Sequence, residues 1–550
     1  MTDTPTLSST TPVPGGSPNS VSRVAATGAS PRTVVLATIA ATALVRLILA
    51  ATLGLGIDES YVVSVARPLS LSYFDHPPLH YWIAGAAQYL AGSPPASPLS
   101  GFALRAPFIL LFAGTTWLLY RLTARLWGDR AGLYAALALN VSAVFSLSTG
   151  SWVLPDGPLM FFAVASIYSL TNALFNAPSS LSVSPPSRVS PPSSVSSSTP
   201  WPWWLASGAA AGGAMLSKYH GILLIAGVFL FLLTTPQHRH WLAHPAPYAA
   251  VALAALLFTP VLAWNAHHGW VSFRFQADRG TPQHGLHLAA LVRNIAGQAA
   301  WVLPWVWIPL LAAFANAIRR GPADGPRWLF VCLAAWPIGL FTLVSLGGNP
   351  GLPHWPALGY LMLFPLLGVA LAERPAPRWL AFSGAILATV VVLAATQATT
   401  GWLTRLLPSF SGPNDPTVDL VDWRDLRRAI ADRGLLPPGR FVAATSWIQA
   451  GKTAYALGPG VPVLCLSSAP HQYLYQHDEA AFVGHDALLV IRQPPRGGGT
   501  ASLVARYEPY FQSIQPLAPV AITRAGAPAL TVDLYLARDF RQPFPTAQPR

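Results

Sequence analysis

The first 400 residues contain only nine carboxylates, and four of them lie in two predicted loops between apolar runs. Asp58 and Glu59 lie in GIDESY, Asp75 in YFDHPPLHYW and Asp156 in WVLPDGPLMFF. A carboxylate at bilayer depth costs several kcal/mol unless something compensates it. Acids gathered on one face of a membrane therefore indicate a site. A carboxylate there could accept a proton from an incoming nucleophile.

Cationic and aromatic side chains fall on the same predicted face. Lys218 and Tyr219 lie in LSKYHG between apolar runs, where a lone ammonium needs an anion, and lipid phosphate is the anion at hand. Acids beside cations suit group transfer from a phosphate-bearing lipid, because the cations offset the charge of the leaving phosphate. Taken singly, each residue could be an ordinary loop acid, an interfacial histidine or part of an aromatic belt. The remaining polar candidates are His76, Asn265, His267, His268, His354 and Trp355.

The elements that position these residues are predicted to be membrane helices. Of the 550 residues, 52% are hydrophobic and 10% charged, whereas an average soluble domain has about a quarter charged residues. Apolar runs of 18 or more residues recur, each long enough to cross a bilayer. The net charge of +13 does not indicate a nucleic-acid partner, because the arginines cluster in short loops, as membrane topology produces. Cys332 and Cys465 have no plausible partner, which excludes a disulfide framework and a Cys-based metal site.

The apolar runs predict an all-α polytopic membrane protein with about eleven transmembrane helices. Basic residues before the first run favour a cytoplasmic N-terminus, and predicted inner segments carry twelve basic residues against four acids. Predicted outer segments carry six basic residues and five acids, so the bias has the expected sign. The predicted spans are 34–56, 102–123, 131–150, 157–175, 203–217, 220–235, 246–264, 298–317, 328–347, 355–372 and 378–398.

Composition divides the chain into three parts. Residues 1–33 are predicted to be a disordered cytoplasmic tail, and 34–400 the transmembrane domain with a Ser/Pro-rich inner loop at 176–202. Residues 401–550 hold 11 of the 20 acids and shorter apolar runs, which predicts a small outer α/β domain. Its predicted strands and helix are Phe441–Ala444, Val461–Leu466, Ala487–Ile491 and Trp423–Asp432.

Two motifs resemble known sites and are rejected. Gly451-Lys452-Thr453 resembles the end of a P-loop, but Ser446 stands where the first glycine should be. His76 and His80 have the spacing of a zinc helix, but two prolines between them break the helix. A divalent ion held by Glu59 and His76 in the first loop stays open.

The motifs, taken in order, resemble one family. DES-Y, YFDHPPL, LPDGPLMFF, SKYHG, P-x-x-AWNAHHGWVSFRFQ and NPGLPHWPALGYL are similar to segments of the family 39 glycosyltransferases. That group includes the protein O-mannosyltransferases and the bacterial aminoarabinose transferase of lipid A. The resemblance covers roughly 40–375 and implies a GT-C fold with the active site at the outer face. It also implies a polyprenyl-phosphate sugar donor and a single displacement with inversion.

The resemblance assigns roles to individual residues. It implies Asp58 as the general base or acceptor-positioning carboxylate, with Glu59 as a second acid that could instead bind a metal or brace the loop. Asp156 would orient the acceptor or donor sugar. Lys218 with Tyr219 resembles the phosphate-binding position. Asp75 and His76 would shape the donor pocket, and the residues expected to line the cavity are His354, Trp355, Asn265 and His267.

Other functions remain as alternatives. An oligosaccharide ligase or polymerase would need larger, Arg-rich outer loops. A transporter or flippase for a lipid-linked or anionic substrate would place polar residues near the midplane on broken helices, and Arg46 within the first span is the feature that favours it. The Ala-, Pro- and Arg-rich composition indicates a bacterial inner-membrane protein with a periplasmic C-terminal domain. The expected acceptor is a glycan, a lipid or a protein.

Overall fold

The computed structural model describes residues 29–92, 98–175, 200–281, 285–348, 351–407, 409–410, 415–493 and 500–548. The predicted tail at 1–33 and the predicted Ser/Pro loop at 176–202 lie almost wholly outside these residues. The described chain forms a helical bundle followed by a small sheet domain. Its helices are α1 Pro31–Thr52, α2 Ile57–Val65, α3 Leu79–Ala91, α4 Pro98–Trp127, α5 Asp129–Asn140, α6 Asp156–Leu174, α7 Trp201–Ser217, α8 Ile222–Thr234, α9 Pro245–His267, α10 Val271–Gly280, α11 Leu288–Val302, α12 Pro304–Arg320, α13 Gly325–Leu343, α14 Ala357–Leu361, α15 Phe364–Glu373, α16 Pro377–Thr400, α17 Trp402–Leu406, α18 Arg424–Asp432, α19 Trp447–Leu457 and α20 Ala501–Ala505.

Six described helices are long and apolar enough to cross a membrane, with mean hydropathy between 1.3 and 2.3. They correspond to α1, α4, α6, α9, α13 and α16, and two bent helix pairs raise the number to eight if each pair is one span. On α1 the large apolar residues Leu36, Leu44 and Ile48 are exposed, because lipid replaces water at that surface. The chain is a multi-pass membrane protein, and the total of about eleven spans stays a prediction.

Two predicted spans are interrupted. The run 298–317 crosses a bend of 105° between α11 and α12. Leu303 lies at the bend with a φ of 82° and directly precedes a proline, which disfavours helix at that position. The run 131–150 ends as helix at Asn140 and continues as a π turn, Val144–Thr149.

Arg46 faces the interior of the bundle and stabilises that π turn. Its guanidinium donates to the Ser146 carbonyl at 3.0 Å and to the Ser146 hydroxyl at 2.8 Å. It also lies 4.6 Å from the centre of the Phe112 ring. Helix packing therefore accounts for the residue that favoured a transporter.

The C-terminal part folds around a five-stranded sheet. Its strands are β1 Phe441–Ala444, β2 Val463–Cys465, β3 Ala487–Arg492, β4 Phe511–Arg524 and β5 Ala527–Phe540. Their order in the sheet is β2-β1-β3-β5-β4. The predicted small C-terminal α/β domain is confirmed, and its placement on the outer side stays a prediction: β1, β2 and β3 lie on the predicted strands and pair in parallel, and α18 covers the predicted helix. The antiparallel hairpin β4–β5 was not predicted, because only a minority of the β4 residues are buried and no clean alternation results.

The sheet domain packs on the bundle through α19 and α2. Gly451 makes this close approach possible, since a Cβ atom there would lie 2.9 Å from the Tyr61 backbone. The neighbouring Lys452 is buried and donates to the Leu55 carbonyl at 2.5 Å and to the Val421 carbonyl at 3.2 Å. Residues of the P-loop-like triplet therefore pack the sheet domain on the bundle, which agrees with the rejection of this triplet as a nucleotide site.

Candidate active site

A cavity of about 1000 Å³ lies between the bundle and the sheet domain. Polypeptide from both parts forms its wall, so carboxylates, cations and aromatic rings face one space. Eight of the eleven predicted site residues line it, namely Asp58, Asp75, His76, Asp156, Lys218, Tyr219, His354 and Trp355.

Asp58 lies in the first turn of α2 with its side chain open to the cavity. Within the described part of the chain it has no hydrogen-bond partner. Burial of the Asp58 carboxyl in the cavity wall raises its pKa, and the nearby charges of Glu59 and Asp75 raise that pKa further. A carboxylate without a cation partner and with a raised pKa is suited to accept a proton.

Asp75 is held from three directions. The Tyr61 hydroxyl donates to its Oδ2 atom, and His471 Nδ1 lies 2.5 Å from its Oδ1 atom. The Gln276 side chain donates to the Asp75 carbonyl at 2.8 Å. We call this part of the cavity wall the carboxylate cluster and define it as Asp58, Tyr61, Asp75 and His471.

Asp156 and Lys218 form an ion pair at the beginning of α6. Lys218 Nζ lies 2.9 and 3.1 Å from the two Asp156 oxygens, and both residues are buried. Lys218 occupies the break that follows α7, where extended backbone with φ of −156° ends the helix and turns the side chain into the cavity. Asp156 therefore fixes the ammonium at the cavity surface.

Arg279 adds a second cation beside Lys218. It extends from α10 into the cavity, and its guanidinium lies 5.2 Å from the centre of the Trp355 ring. Burial, followed by the charge of Lys218, lowers the pKa of His354 to about 4, so this imidazole is neutral at physiological pH. Burial likewise lowers the pKa of His76. Lys218 and Arg279, with neutral histidines around them, form the cation cluster.

Glu59 does not line the cavity, although it follows Asp58 in sequence. Arg105 donates to its Oε1 atom at 2.8 Å and to its Oε2 atom at 2.6 Å. The amides of Gly56 and Val153 also donate to it, at 2.9 and 3.1 Å. These contacts place Glu59 in the bracing position that the sequence left open.

Asn265 and His267 also lie outside the cavity wall. The Asn265 side chain accepts from the Ser272 amide at 3.1 Å and donates to the Val261 carbonyl at 3.0 Å, which fixes the turn from α9 to α10. That turn directs Arg279 into the cavity. His267 is exposed.

Across the described ranges, no three His, Cys, Asp or Glu side chains gather as metal ligands. Glu59, one of the two ligands considered from sequence, has both oxygens engaged by Arg105 and backbone amides. His76 has another histidine, His80, as its ring neighbour at 5.8 Å. The geometry therefore gives Glu59 a role in packing, and a divalent ion at Glu59 and His76 stays a prediction.

The sequence left open whether the C-terminal domain covers the active site and whether Trp447 contacts a sugar, and it gave no signal for His471. Trp447 and His471 both line the cavity. His471 is 396 positions from its partner Asp75, so no local pattern connects them. Arg279 lies three residues after the AWNAHHGWVSFRFQ motif, and Tyr61 belongs to the DES-Y motif, so both had a sequence signal.

Comparison with known proteins gives consistent matches. Residues 75–180 and 194–264 match a family model described as dolichyl-phosphate-mannose-protein mannosyltransferase. The structure of ArnT from Cupriavidus metallidurans in the apo state superposes with a TM-score of 0.59 at 17% identity, covering 92% of this chain and 98% of that one. The same protein bound to undecaprenyl phosphate gives 0.57 at 16% identity, with 92% and 97% coverage. The fold is GT-C.

Curated relatives extend the GT-C match. The undecaprenyl phosphate-alpha-4-amino-4-deoxy-L-arabinose arabinosyl transferase 1 of Proteus mirabilis (strain HI4320) is 32% identical over 111 residues, 20% of this chain and 19% of that protein. The corresponding transferase of Erwinia tasmaniensis is 23% identical over 282 residues, 50% and 46% of the two chains. This chain thus spans less than half of each relative's length. The resemblance to the family 39 glycosyltransferases is confirmed.

Proposed function

We propose that this protein transfers a sugar from a polyprenyl-phosphate-linked donor to an acceptor at the outer face of the bacterial inner membrane. The observation that carries the proposal is one cavity that holds both an open carboxylate, Asp58, and two cations, Lys218 and Arg279. A lipid-linked donor needs the cations for its phosphate, and an acceptor hydroxyl needs the carboxylate for its proton.

The reaction follows from this placement. The acceptor oxygen attacks the anomeric carbon and passes its proton to Asp58 as the new C–O bond forms. The bond from the anomeric carbon to the phosphate oxygen breaks on the opposite side, which inverts the configuration. Lys218 and Arg279 offset the negative charge that the leaving phosphate gains. Asp156 keeps Lys218 in place throughout.

The sugar is proposed to carry an amino group. The curated relatives are named for an amino-deoxy pentose, and the cavity of this chain presents Asp58 and Asp75, whose charges are close enough to raise the pKa of Asp58. A protonated amine beside two carboxylates relieves that repulsion. A hexose such as mannose, named in the matching family model, would lack this contact.

The proposed topology places 401–550 on the periplasmic side, over the outer opening of the bundle. Labelling of single cysteines introduced at exposed Asp432 and Arg320, with a reagent that does not cross membranes, tests this orientation. Label at position 432 alone supports it, and label at position 320 alone contradicts it.

The activity test uses radiolabelled donors in membranes that contain the full chain. Polyprenyl-phosphate aminopentose and polyprenyl-phosphate mannose are compared with wild type, Asp58→Asn and the control Asp432→Asn, which changes an exposed carboxylate far from the cavity. Transfer that Asp58→Asn abolishes and Asp432→Asn retains supports the proposal. Transfer that persists in Asp58→Asn contradicts Asp58 as the general base, and absence of transfer from every donor in wild type contradicts the function.

A further inference from the structure

The C-terminal domain reaches the cavity through a short helical turn, His471–Tyr475, which follows β2. The His471 ring lies among aromatic rings of both parts of the protein. Its centre is 5.2 Å from that of Trp447, 5.7 Å from that of Phe275 and 5.8 Å from that of Phe74. This packing leaves one ring nitrogen, Nδ1, directed at Asp75.

The backbone of His471 is held in an uncommon conformation. Its φ of 56° is in the left-handed region, which non-glycine residues rarely adopt. Gln548 fixes it from both sides, accepting from the His471 amide at 2.9 Å and donating to the His471 carbonyl at 2.9 Å. Strain that the surroundings enforce is typical of positions where side-chain direction matters.

The next residue ties the same turn to the first outer segment. Gln472 accepts from the Phe74 amide at 2.7 Å, and its own amide donates to the Tyr61 hydroxyl at 2.9 Å. Tyr61 in turn donates to Asp75. Both carboxylate oxygens of Asp75 are thus fixed, one directly by His471 and the other through Tyr61, whose position Gln472 sets.

We infer that His471 is a positioning residue for the transfer reaction, through which the C-terminal domain sets the direction of the Asp75 carboxylate at the cavity surface. The inference rests on the proposed function. Without the imidazole, the hydrogen bond that the Asp75 carboxylate keeps within the described ranges is the one from Tyr61, and the carboxylate can rotate about its side-chain bonds. The carboxylate then no longer presents a fixed charge beside Asp58, and the sugar that contacts it is bound in more than one orientation.

Misplacement of a reacting group by about 1 Å can cost on the order of 10²-fold in rate. We therefore expect His471→Ala to lower kcat by about 10- to 100-fold. The donor KM should change by less than about threefold, because Lys218 and Arg279, which bind the phosphate, are untouched. A loss of folding would instead lower the amount of active protein and leave kcat per active site unchanged.

His471→Asn is the conservative variant. Asparagine tolerates the left-handed conformation, and its amide nitrogen can donate from nearly the position of Nδ1. We expect kcat within about threefold of wild type for His471→Asn. His485→Ala, which removes an exposed histidine of the same domain, is the matched control and should retain wild-type kcat.

The experiment measures kcat and donor KM on the full-length variants in detergent or nanodiscs, with active-site concentration normalised by binding of labelled donor lipid. Low kcat in His471→Ala with recovery in His471→Asn supports the inference. Wild-type kcat in His471→Ala overturns it and leaves the proposed function intact. Equal loss in Ala and Asn variants overturns it in favour of a purely structural contact. Absence of transfer by wild type overturns both proposals.

Discussion

Asp58 and Glu59 are adjacent acids that should respond in opposite ways to loss of charge. Glu59 is 2% exposed, and its partner Arg105 is 3% exposed. Removing one member of a buried ion pair costs about 3 to 5 kcal/mol, because the other charge stays buried without compensation. Arg105 keeps the Leu53 and Gly54 carbonyls as acceptors, both at 2.8 Å. We therefore expect Glu59→Gln to lower the free energy of unfolding by about 3 kcal/mol, the lower end of that range.

Asp58→Asn should have the opposite signature. No hydrogen bond is lost among the described residues, and the pKa of Asp58 is raised in the folded protein. A carboxyl whose folded pKa exceeds its unfolded value opposes folding at every pH above the unfolded value, including pH 7. Replacing it with a neutral amide removes that cost. Stability should be equal to wild type or slightly higher, while sugar transfer is lost.

The assay pairs unfolding of purified protein in detergent, followed by tryptophan fluorescence, with sugar transfer by the same preparations. Asp432→Asn serves as the control for loss of an exposed acid. Loss of stability in Asp58→Asn comparable to that in Glu59→Gln would refute the division of roles. So would a Glu59→Gln variant of wild-type stability that transfers no sugar, because the brace would then be part of the chemistry. In a double-mutant cycle, Glu59→Gln with Arg105→Met should cost less than the sum of the single changes.

Three further predictions concern other parts of the cavity. Lys218→Ala should lower kcat/KM for the donor by about 10- to 100-fold, because one charge-assisted contact of roughly 1.5 to 3 kcal/mol is lost. In the same kinetic assay, Lys218→Arg should retain part of the wild-type kcat/KM. Gly451→Leu should separate α19 from α2 because a Cβ meets the Tyr61 backbone at 2.9 Å, and limited proteolysis and transfer should both report the separation. The pKa of His354 is about 4 in the folded protein, below the unfolded value of about 6.5. The stability that neutral His354 contributes is therefore complete above pH 6.5 and is lost as the pH falls towards 4. Measured at pH 7, 5.5 and 4.5, the free energy of unfolding should fall less with acid in His354→Gln than in wild type.

Each of these has a result that would contradict it. Unchanged donor kinetics in Lys218→Ala would remove the ammonium from the phosphate contact. Gly451→Leu that resists protease as well as Gly460→Ala, a change made in open space, would show that the two helices tolerate separation. An acid dependence identical in wild type and His354→Gln would assign the pH effect to other buried histidines.

Much of the site could be predicted because its residues lie at the ends of apolar runs. Asp156 begins a helix and Lys218 ends one, so a topology that places both ends on one face also places the two side chains near each other. The short parallel strands of the C-terminal domain were predictable for a similar reason, since buried strands are continuous apolar runs. The eight predicted residues that line the cavity follow from these two local patterns and the family resemblance.

The remainder depends on geometry that a linear pattern does not contain. Asp58 and Glu59 are neighbours in sequence, but one helical step of about 100° turns them to different sides of α2, one towards the cavity and one towards Arg105. The pairing of Asp75 with His471 depends on how the sheet domain packs on the bundle, which no local periodicity records. The bend at Leu303 did have a signal, the following proline, which the hydropathy of the run obscured.

The contribution of His471 also orders events during protein synthesis. Asp58 is made early and His471 late, and ribosomes add about 5 to 20 residues per second, so roughly 20 to 80 s separate the two sides of the cavity. From the synthesis of Arg279 onwards, the growing chain contains both cations of the proposed phosphate site, but not the wall that fixes Asp75. A nascent chain can thus hold a donor without orienting it for transfer. In the proposed reaction, both oxygens of the Asp75 carboxylate are therefore fixed only after the sheet domain has packed onto α2.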